Sequence, residues 1–517
     1  MKIFNAFTLM SLAFVSSNAM RDIPSMELVK EIKIGWNLGN TLDAHCLDTL
    51  DYSLDTTASE TCWGNVKTTP ELFQKLSSLG FNIFRIPTTW TGHFGEGPDY
   101  KIDDAWMKRV HEVVDYALNT GSFAILNIHH ENWNYAFAEN LESAKVILEA
   151  IWKQIAEEFK EYDEHLIFEG MNEPRKVDDP VEWTGGDEDG WNFVNELDNL
   201  FYQTIRASGG NNALRHLMLP SYAAACYGGA PDHLIYPEND NKIIISIHSY
   251  NPYNFALNNG EGAVSTFDDG SDIDYTMSEI NKFFISKNVP VIMGEFGAMN
   301  RHNEDERAKW AEYYIKSARA VGVPCILWDN GIFEGEGERF AIIDRSQLKV
   351  AYPKLVTGLM KGLGIDNYQI PESDILELTE EEPTVVEPDT EEPVETIIPI
   401  PSIPDPVNPS DESILPPKQI TTQVIPPQEV TSQIIPPKEV TSTQIVPPKE
   451  ITTPEPNQAA ASSSIVNPSY FTCEKEDWDC KAKNSDLCFG EVSKCWEYGK
   501  DPNTCIQISV ECSKIWS

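Results

Sequence analysis

Eight short apolar runs, each followed by a longer segment, fill the chain from Glu31 to about Gly364 and sharply restrict what it can fold into. They cover residues 32–37, 81–87, 123–129, 166–172, 216–220, 243–250, 291–296 and 324–329. Each is mostly apolar rather than alternating, as strands buried on both faces of a parallel sheet require. The segments between them carry helical periodicity. Asp103 to Asn119 sets Trp106, Val110, Val113, Val114 and Ala117 on one face, which leaves Lys108, Arg109 and Glu112 expected in water. Gly121 follows as its stop. Residues 143–159, 192–207 and 304–320 behave alike, whereas the stretch between the fifth and sixth runs is short and weakly helical. Eight such units predict an α/β chain closed into a (β/α)8 barrel over residues 20–366, since barrels of this kind need ~250 residues plus loop insertions. No Gly-x-Gly-x-x-Gly turn follows the first run, which argues against an open dinucleotide-binding sheet.

The flanks differ in kind. Met1-Lys2, an apolar stretch to Val15 and the small residues Ser17-Asn18-Ala19 read as a signal peptide over residues 1–19, hence a secreted protein. That stretch is too short to span ~30 Å of hydrocarbon and none of the later ones is longer, so no membrane partner is expected. The formal net charge of −42 excludes nucleic acid as a natural partner but not a neutral polymer. Residues 367–469 read as a linker: Glu372 to Glu395 holds eleven acids and no base, and Pro-Pro units then recur near Pro416, Pro426, Pro436 and Pro447. Residues 470–517 carry Cys473, Cys480, Cys488, Cys495, Cys505 and Cys512, a disulfide framework for a small accessory module. Of the other cysteines, Cys46 and Cys62 bracket the long first loop, where a disulfide would stabilise by about 3 kcal/mol. Cys226 and Cys325 are expected free and buried.

In a barrel the reactive groups sit at the carboxyl ends of strands. Those ends carry Asn37, Arg85, His129 with His130, Asn172 with Glu173, His248 with Tyr250, Glu295 and Trp328. Two facing carboxyl groups, Glu173 and Glu295, suffice to cleave a glycosidic bond. Taken one at a time each residue has a plainer reading: a glutamate caps a helix, Arg85 is a buried ion-pair partner, His248 a core histidine, Trp328 packing. Their coincidence at strand ends favours a site. His129-His130-Glu131 suggests a metal, but neighbouring strand side chains point to opposite faces, so neither a metal nor any other cofactor is expected.

Five segments then carry a resemblance: Gly35-Trp36-Asn37-Leu38-Gly39-Asn40-Thr41-Leu42-Asp43, Phe84-Arg85-Ile86-Pro87, Asn127-Ile128-His129-His130-Glu131, Asn172-Glu173-Pro174-Arg175 and Gly294-Glu295-Phe296-Gly297. Over residues 25–364 the chain resembles glycoside hydrolase family 5, subfamily 4. The resemblance implies a barrel, a retaining mechanism without metal, and endo-attack on β-1,4-glucans, xyloglucan and mixed-linkage glucan included. It makes Glu173 the acid/base and Glu295 the nucleophile. Asn37, Arg85, His129, His130, Asn172, His248, Tyr250 and Trp328 become supporting or sugar-binding residues. Arg85, with Tyr250, is then expected to keep Glu295 ionised, while that anion raises the pKa of Glu173 and leaves it protonated. Trp63, Trp90, Trp133, Trp183, Trp191, Tyr135, Tyr222 and Tyr253 lie in or beside loops on the same face, about half of them as packing. The expected partner is a β-glucan polysaccharide, and the aromatics of the cysteine-rich module read equally as a carbohydrate platform, a docking face for a secreted scaffold protein, or the module's own core. The alternatives are a xyloglucanase, lichenase, xylanase or mannanase on the same scaffold, or a non-catalytic polysaccharide-binding protein.

Overall fold

The computed structural model describes residues 20–335 and 337–377, together with Thr472 and Cys488. The chain divides into units 1–392 and 393–517, and nearly all described residues belong to the first. The expected signal peptide, most of the linker and most of the cysteine-rich module lie outside the described residues. Cys488 is disulfide-bonded.

Eight parallel strands close into a barrel in sequence order: β1 Gly35–Asn37, β2 Ile83–Ile86, β3 Phe123–Asn127, β4 Leu166–Glu169, β5 Leu217–Pro220, β6 Ile243–His248, β7 Val291–Phe296 and β8 Cys325–Leu327. Eight helices follow them in turn: α1 Pro70–Ser78, α2 Asp104–Leu118, α3 Leu141–Glu158, α4 Glu188–Ala207, α5 Ala230–His233, α6 Ser271–Phe283, α7 Glu304–Ala320 and α8 Pro353–Gly362. The single turn of α5 is the weakly helical stretch of the sequence. A two-stranded antiparallel hairpin, β9 Ile343–Asp344 and β10 Lys349–Val350, was not foreseen, because two-residue strands leave no periodicity to read.

Alternation along each strand positions everything else. One set of side chains, Phe84, Ile86, Leu126, Phe168 and Ile245 among them, packs outward under the helices. The other forms a separate apolar cluster of Ile83, Ile125, Ile167, Met218, Ile244, Ile292 and Ile326, the filled barrel interior. Leu28, Val29 and Ile32 join that cluster from the chain ahead of β1. A Cβ on Gly35 would fall 2.6 Å from Ile83 and 2.8 Å from Ile326, so this interior leaves β1 room only for glycine. Two residues further along, the inward positions become Asn37, Arg85, Asn127, Glu169 and Ser246, all fully buried. The interior is therefore apolar in one layer and polar in the next.

Two expectations need correction. Arg109 is buried, not solvated: its Nε donates to Glu60 Oε2 at 2.8 Å and its Nη2 to Glu60 Oε1 and Thr68 O, both at 2.7 Å. The long loop after β1 folds over α2 and brings Glu60 with it, which no helical periodicity could reveal. The barrel unit also extends past residue 366. Residues 367–377 pack on the barrel through Tyr368 Oη donating to Leu79 O at 2.9 Å, Lys75 pairing with Asp374 at 2.9 Å, and Leu376 N bonding Val350 O at 2.8 Å. The cysteine expectations hold: Cys46 and Cys62 are bridged, and Cys226 and Cys325 are free and buried. No helix among the described residues is long and apolar enough to cross a membrane.

Asp198 on α4 is fully buried and neither carboxyl oxygen meets a protein donor. Burial pushes its pKa well above the ordinary carboxylate value. Because the folded state then binds a proton that the unfolded chain releases above about pH 4, stability falls as pH rises beyond that point. Asp198→Asn should therefore raise the thermal midpoint at pH 8 and lose that advantage near pH 4. A difference independent of pH in paired melting curves would reject this account.

Candidate active site

The polar layer is organised by Arg85. Its Nε donates to Glu169 Oε2 at 2.7 Å, its Nη1 to Asn37 Oδ1 at 3.0 Å and Glu295 Oε1 at 2.7 Å, and its Nη2 to Asn172 Oδ1 at 2.7 Å. Four groups, from β1, β4, β7 and the loop after β4, are thus held by one planar cation on β2 with no exposed surface. Glu169 is further bonded by Ser246 Oγ at 2.6 Å and Asn127 Nδ2 at 2.9 Å. Although burial opposes its charge, the two carboxylates hold the Arg85 guanidinium protonated beyond its usual range.

Glu295 reaches the cleft through an irregularity in β7. The β6–β7 register shifts so that Ile247 pairs with Met293 and His248 with Glu295, which leaves Gly294 extra and re-aims the next side chain. Gly294 must be glycine here, since its Cβ would lie 2.8 Å from His248 Nε2. Tyr250 Oη completes the cradle by donating to Glu295 Oε2 at 2.8 Å. Burial, followed by the charge of Glu295, pushes the Tyr250 phenol well above its ordinary pKa, so it stays a donor.

Glu173 sits four residues past the last paired residue of β4, because strand pairing stops at Glu169 rather than Asn172. Its Oε1 lies 2.7 Å from His248 Nδ1, and the same nitrogen is 3.7 Å from Glu295 Oε1. One oxygen of Glu173, one of Glu295 and a nitrogen of His248 fall within 4.8 Å of one another. The expected direction of the Glu173 pKa is overturned. Burial alone would raise it, but the hydrogen bond and charge of His248, then Arg175 and Arg85, bring it below its ordinary value. His248 moves the opposite way: burial lowers its pKa, yet Glu295 and Glu173 together lift it above normal. The two groups are thus shifted in opposite senses, Glu173 toward its anion and His248 toward imidazolium.

The remaining expected residues gather around this centre. Trp328 is 8% exposed and lies parallel to His129 at 5.9 Å between ring centroids. Gly39 gives it space, for a Cβ there would meet the indole at 2.8 Å. His130 lines the cleft with Asn172, Glu173 and Arg175, and meets His45 and Trp63 edge-on or tilted at 5.8 and 5.7 Å. The argument that His129 and His130 face opposite ways fails, because pairing of β3 ends at Asn127 and the two rings meet edge-to-face at 4.5 Å. With Asp43 they form a cluster within 4.8 Å that has the composition of a metal site. Three of its ligand atoms are engaged within the protein: Asp43 accepts from the backbone N–H groups of Asn40 and Thr41 at 2.9 and 2.6 Å, and Asn127 Nδ2 lies 3.1 Å from His129 Nδ1. Burial lowers both imidazoles, His130 to about 4, so they are neutral hydrogen-bonding groups. Of the aromatics on this face, Trp90 and Tyr222 are buried packing and Trp191 stacks on His233, whereas Trp183 and Tyr253 are exposed.

A family model described as Cellulase (glycosyl hydrolase family 5) matches residues 46–334. The chain belongs to glycoside hydrolase family 5. Endoglucanase B of Neocallimastix patriciarum is 69% identical over 364 residues, covering 70% of this chain and 77% of that protein. Among solved structures, a GH5-4 broad specificity endoglucanase from Ruminococcus champanellensis with bound cellotriose is 44% identical, with a TM-score of 0.64 over 66% of this chain and all of that one. A family 5 lichenase from Caldicellulosiruptor sp. F32 is 40% identical, with a TM-score of 0.63 over 67% of this chain and 98% of that one.

In this family 5 enzyme the sequence reading missed Glu169, Asn127 and Ser246. Glu169 had a signal, since a carboxylate inside the run Leu166-Ile167-Phe168-Glu169 needs a buried cation and Phe84-Arg85-Ile86 offers one. Glu131 was also missed as a loop anchor: it accepts from Trp90 N at 2.6 Å and Trp133 Nε1 at 2.7 Å, and burial pushes it up to about 7. Arg85→Ala would leave two buried carboxylates facing each other without their cation. We expect a loss of roughly 3–5 kcal/mol in urea unfolding, the scale for breaking a buried ion pair. A loss under about 1 kcal/mol, within the range of an exposed pair, would show that Arg85 does not organise this layer.

Proposed function

We propose that this chain is a secreted, retaining endo-β-1,4-glucanase that cleaves internal linkages of cellulose and related β-glucans. The observation that carries the reading is the approach of a Glu173 oxygen and a Glu295 oxygen to within 4.8 Å. Retaining sites hold their carboxyls ~5–5.5 Å apart, whereas an inverting site needs about 6.5–9.5 Å to seat a water between them. Glu295, ionised between Arg85 and Tyr250, is the nucleophile toward the anomeric carbon. Glu173 is the acid that protonates the leaving oxygen, drawing its proton from His248 along their 2.7 Å hydrogen bond as substrate displaces water. The resulting glycosyl ester removes the Glu295 charge, and Glu173 then takes a proton from the water that releases the sugar. Arg85 occupies the Asn172 carbonyl, so the amide NH2 is left to donate to a sugar hydroxyl. Trp328 is the floor for the ring.

The endoglucanase and lichenase among the relatives support β-glucans as the substrate class, and the lichenase makes mixed-linkage glucan a second substrate to test. The Cys46–Cys62 bridge supports export, because disulfides persist in oxidising compartments. Glu295→Ala should reduce hydrolysis of carboxymethylcellulose to background, and Glu173→Ala should lower it by about 10²–10⁴-fold. NMR of fresh hydrolysate should show the β-anomer first. Undiminished turnover by Glu295→Ala, or an initial α-anomer, would reject the assignment. A panel of barley glucan, xyloglucan, xylan and mannan should be hydrolysed best in its first two members.

A further inference from the structure

Each cysteine of the Cys46–Cys62 bridge has a ring of the cleft region as its chain neighbour: His45 precedes Cys46 and Trp63 follows Cys62. The His45 and Trp63 rings meet edge-on at 5.2 Å, and Trp63 Nε1 donates to His45 O at 3.2 Å. Both rings reach His130, at 5.8 and 5.7 Å, and His45 lines the cleft together with His130 and Glu173. The two arms of this loop are anchored unequally. On the Trp63 arm, Glu60 accepts from Arg109 Nη2 at 2.7 Å and Thr68 N at 2.8 Å, and Asn65 Nδ2 donates to Asn40 O and Asn330 O at 2.8 and 3.0 Å. On the His45 arm, Leu47, Asp48 and Thr49 are exposed, and Cys46 N donates to Tyr52 Oη at 3.1 Å within the loop itself. The bridge therefore ties the weakly held arm to the strongly held one. No side-chain hydrogen bond of Arg85, Tyr250 or Glu295 reaches residues 45–63.

Resting on the catalytic reading above, we propose that the Cys46–Cys62 disulfide positions one wall of the cleft, the contact of His45 and Trp63 with His130, and that reducing it weakens glucan binding while sparing the bond-breaking step. With the bridge closed, the His45 arm is ordered before the glucan arrives. With it open, that arm has to be ordered by the glucan, a cost charged to binding. The groups that break the bond are held from other elements by Arg85, so the loss falls equally on ground state and transition state and raises KM rather than lowering kcat. Both bridged cysteines are partly exposed and open to a small reductant, whereas Cys226 and Cys325 are buried and do not compete for the bridge. A dithiol such as dithiothreitol supplies two electrons and two protons: the S–S bond breaks, Cys46 and Cys62 become thiols, and the reductant closes to its cyclic disulfide.

The full chain is assayed on barley glucan, well below its thermal midpoint, when oxidised, after dithiothreitol and after reoxidation, beside the double variant Cys46→Ser/Cys62→Ser and Trp63→Ala. We expect reduction to raise KM about fivefold with kcat within about twofold, and reoxidation to restore it. The double variant should show the raised KM with or without dithiothreitol, and Trp63→Ala should lose most of its response to the reductant, since the bridge acts through that contact. An unchanged KM in the double variant would overturn the proposal, as would a full response to dithiothreitol in that variant, which would place the effect in other cysteines. A fall in kcat as large as the rise in KM would overturn it by showing that the bridge serves the fold alone. If the double variant does not fold, wild type reduced and alkylated with iodoacetamide decides: the rise in KM has to follow labelling of Cys46 and Cys62, read by mass spectrometry. Inactivity of the oxidised wild type on both barley glucan and carboxymethylcellulose would instead overturn the catalytic reading beneath it.

Discussion

The structure depends on one charge kept out of water. Arg85 has no exposed surface and answers two carboxylates and two amides at 3.0 Å or less. A guanidinium in such a place is tolerable only if its donors are matched, and its planar fork is the side chain able to serve three strands and a loop together. Removing Glu169 would leave the cation short of charge, and moving Glu295 would leave it short of geometry. The position of Glu295 is therefore part of what holds the barrel together at that level, and the order of the candidate site and the stability of the fold are here the same set of bonds.

The two-residue period of a strand is what delivers these groups. Inward positions run from Ile83 to Arg85 on β2, from Ile125 to Asn127 on β3, from Ile167 to Glu169 on β4 and from Ile244 through Ser246 to His248 on β6. A shift of one residue in β2 or β4 would place Arg85 or Glu169 under the helices, so the hydrophobic layer fixes the register of the polar layer. The bulge at Gly294 is the exception that proves useful, because regular pairing would not set Glu295 opposite His248.

Much of this was legible in the sequence, for identifiable reasons. Strands buried on both faces announce themselves as apolar runs, and polar residues at their ends stand out against that background. Of the ten expected residues, Arg85 bonds Asn37, Asn172 and Glu295, His248 and Tyr250 reach the two glutamates, and His129, His130 and Trp328 are in ring contact. What escaped was of another kind. Glu169 looked like an interruption of a strand because its partner lies 84 positions away in Arg85. Arg109 read as a solvated helix residue because its partner, Glu60, comes from an irregular loop. His129 and His130 were placed on opposite faces because strand alternation was extended past Asn127, where pairing stops. For Glu169 and Arg109 a local periodicity was sound and the tertiary partner was invisible to it; for the two histidines the periodicity itself ended two residues early.

The location of the acid proton shows how far such local reasoning carries. From two carboxyl groups alone, repulsion protonates one of them, and Glu173 becomes a neutral acid awaiting substrate. The structure adds a third member, His248, 2.7 Å from one glutamate and 3.7 Å from the other. With two anions beside it, imidazolium is favoured, and Glu173 becomes the anion that imidazolium stabilises. A site with two acids and one base stores the same single proton, one bond further from the leaving oxygen. When a sugar enters and water departs, desolvation penalises separated charges on His248 and Glu173 more than the neutral pair. In the proposed mechanism that difference moves the proton onto Glu173 as the bond comes into position to break.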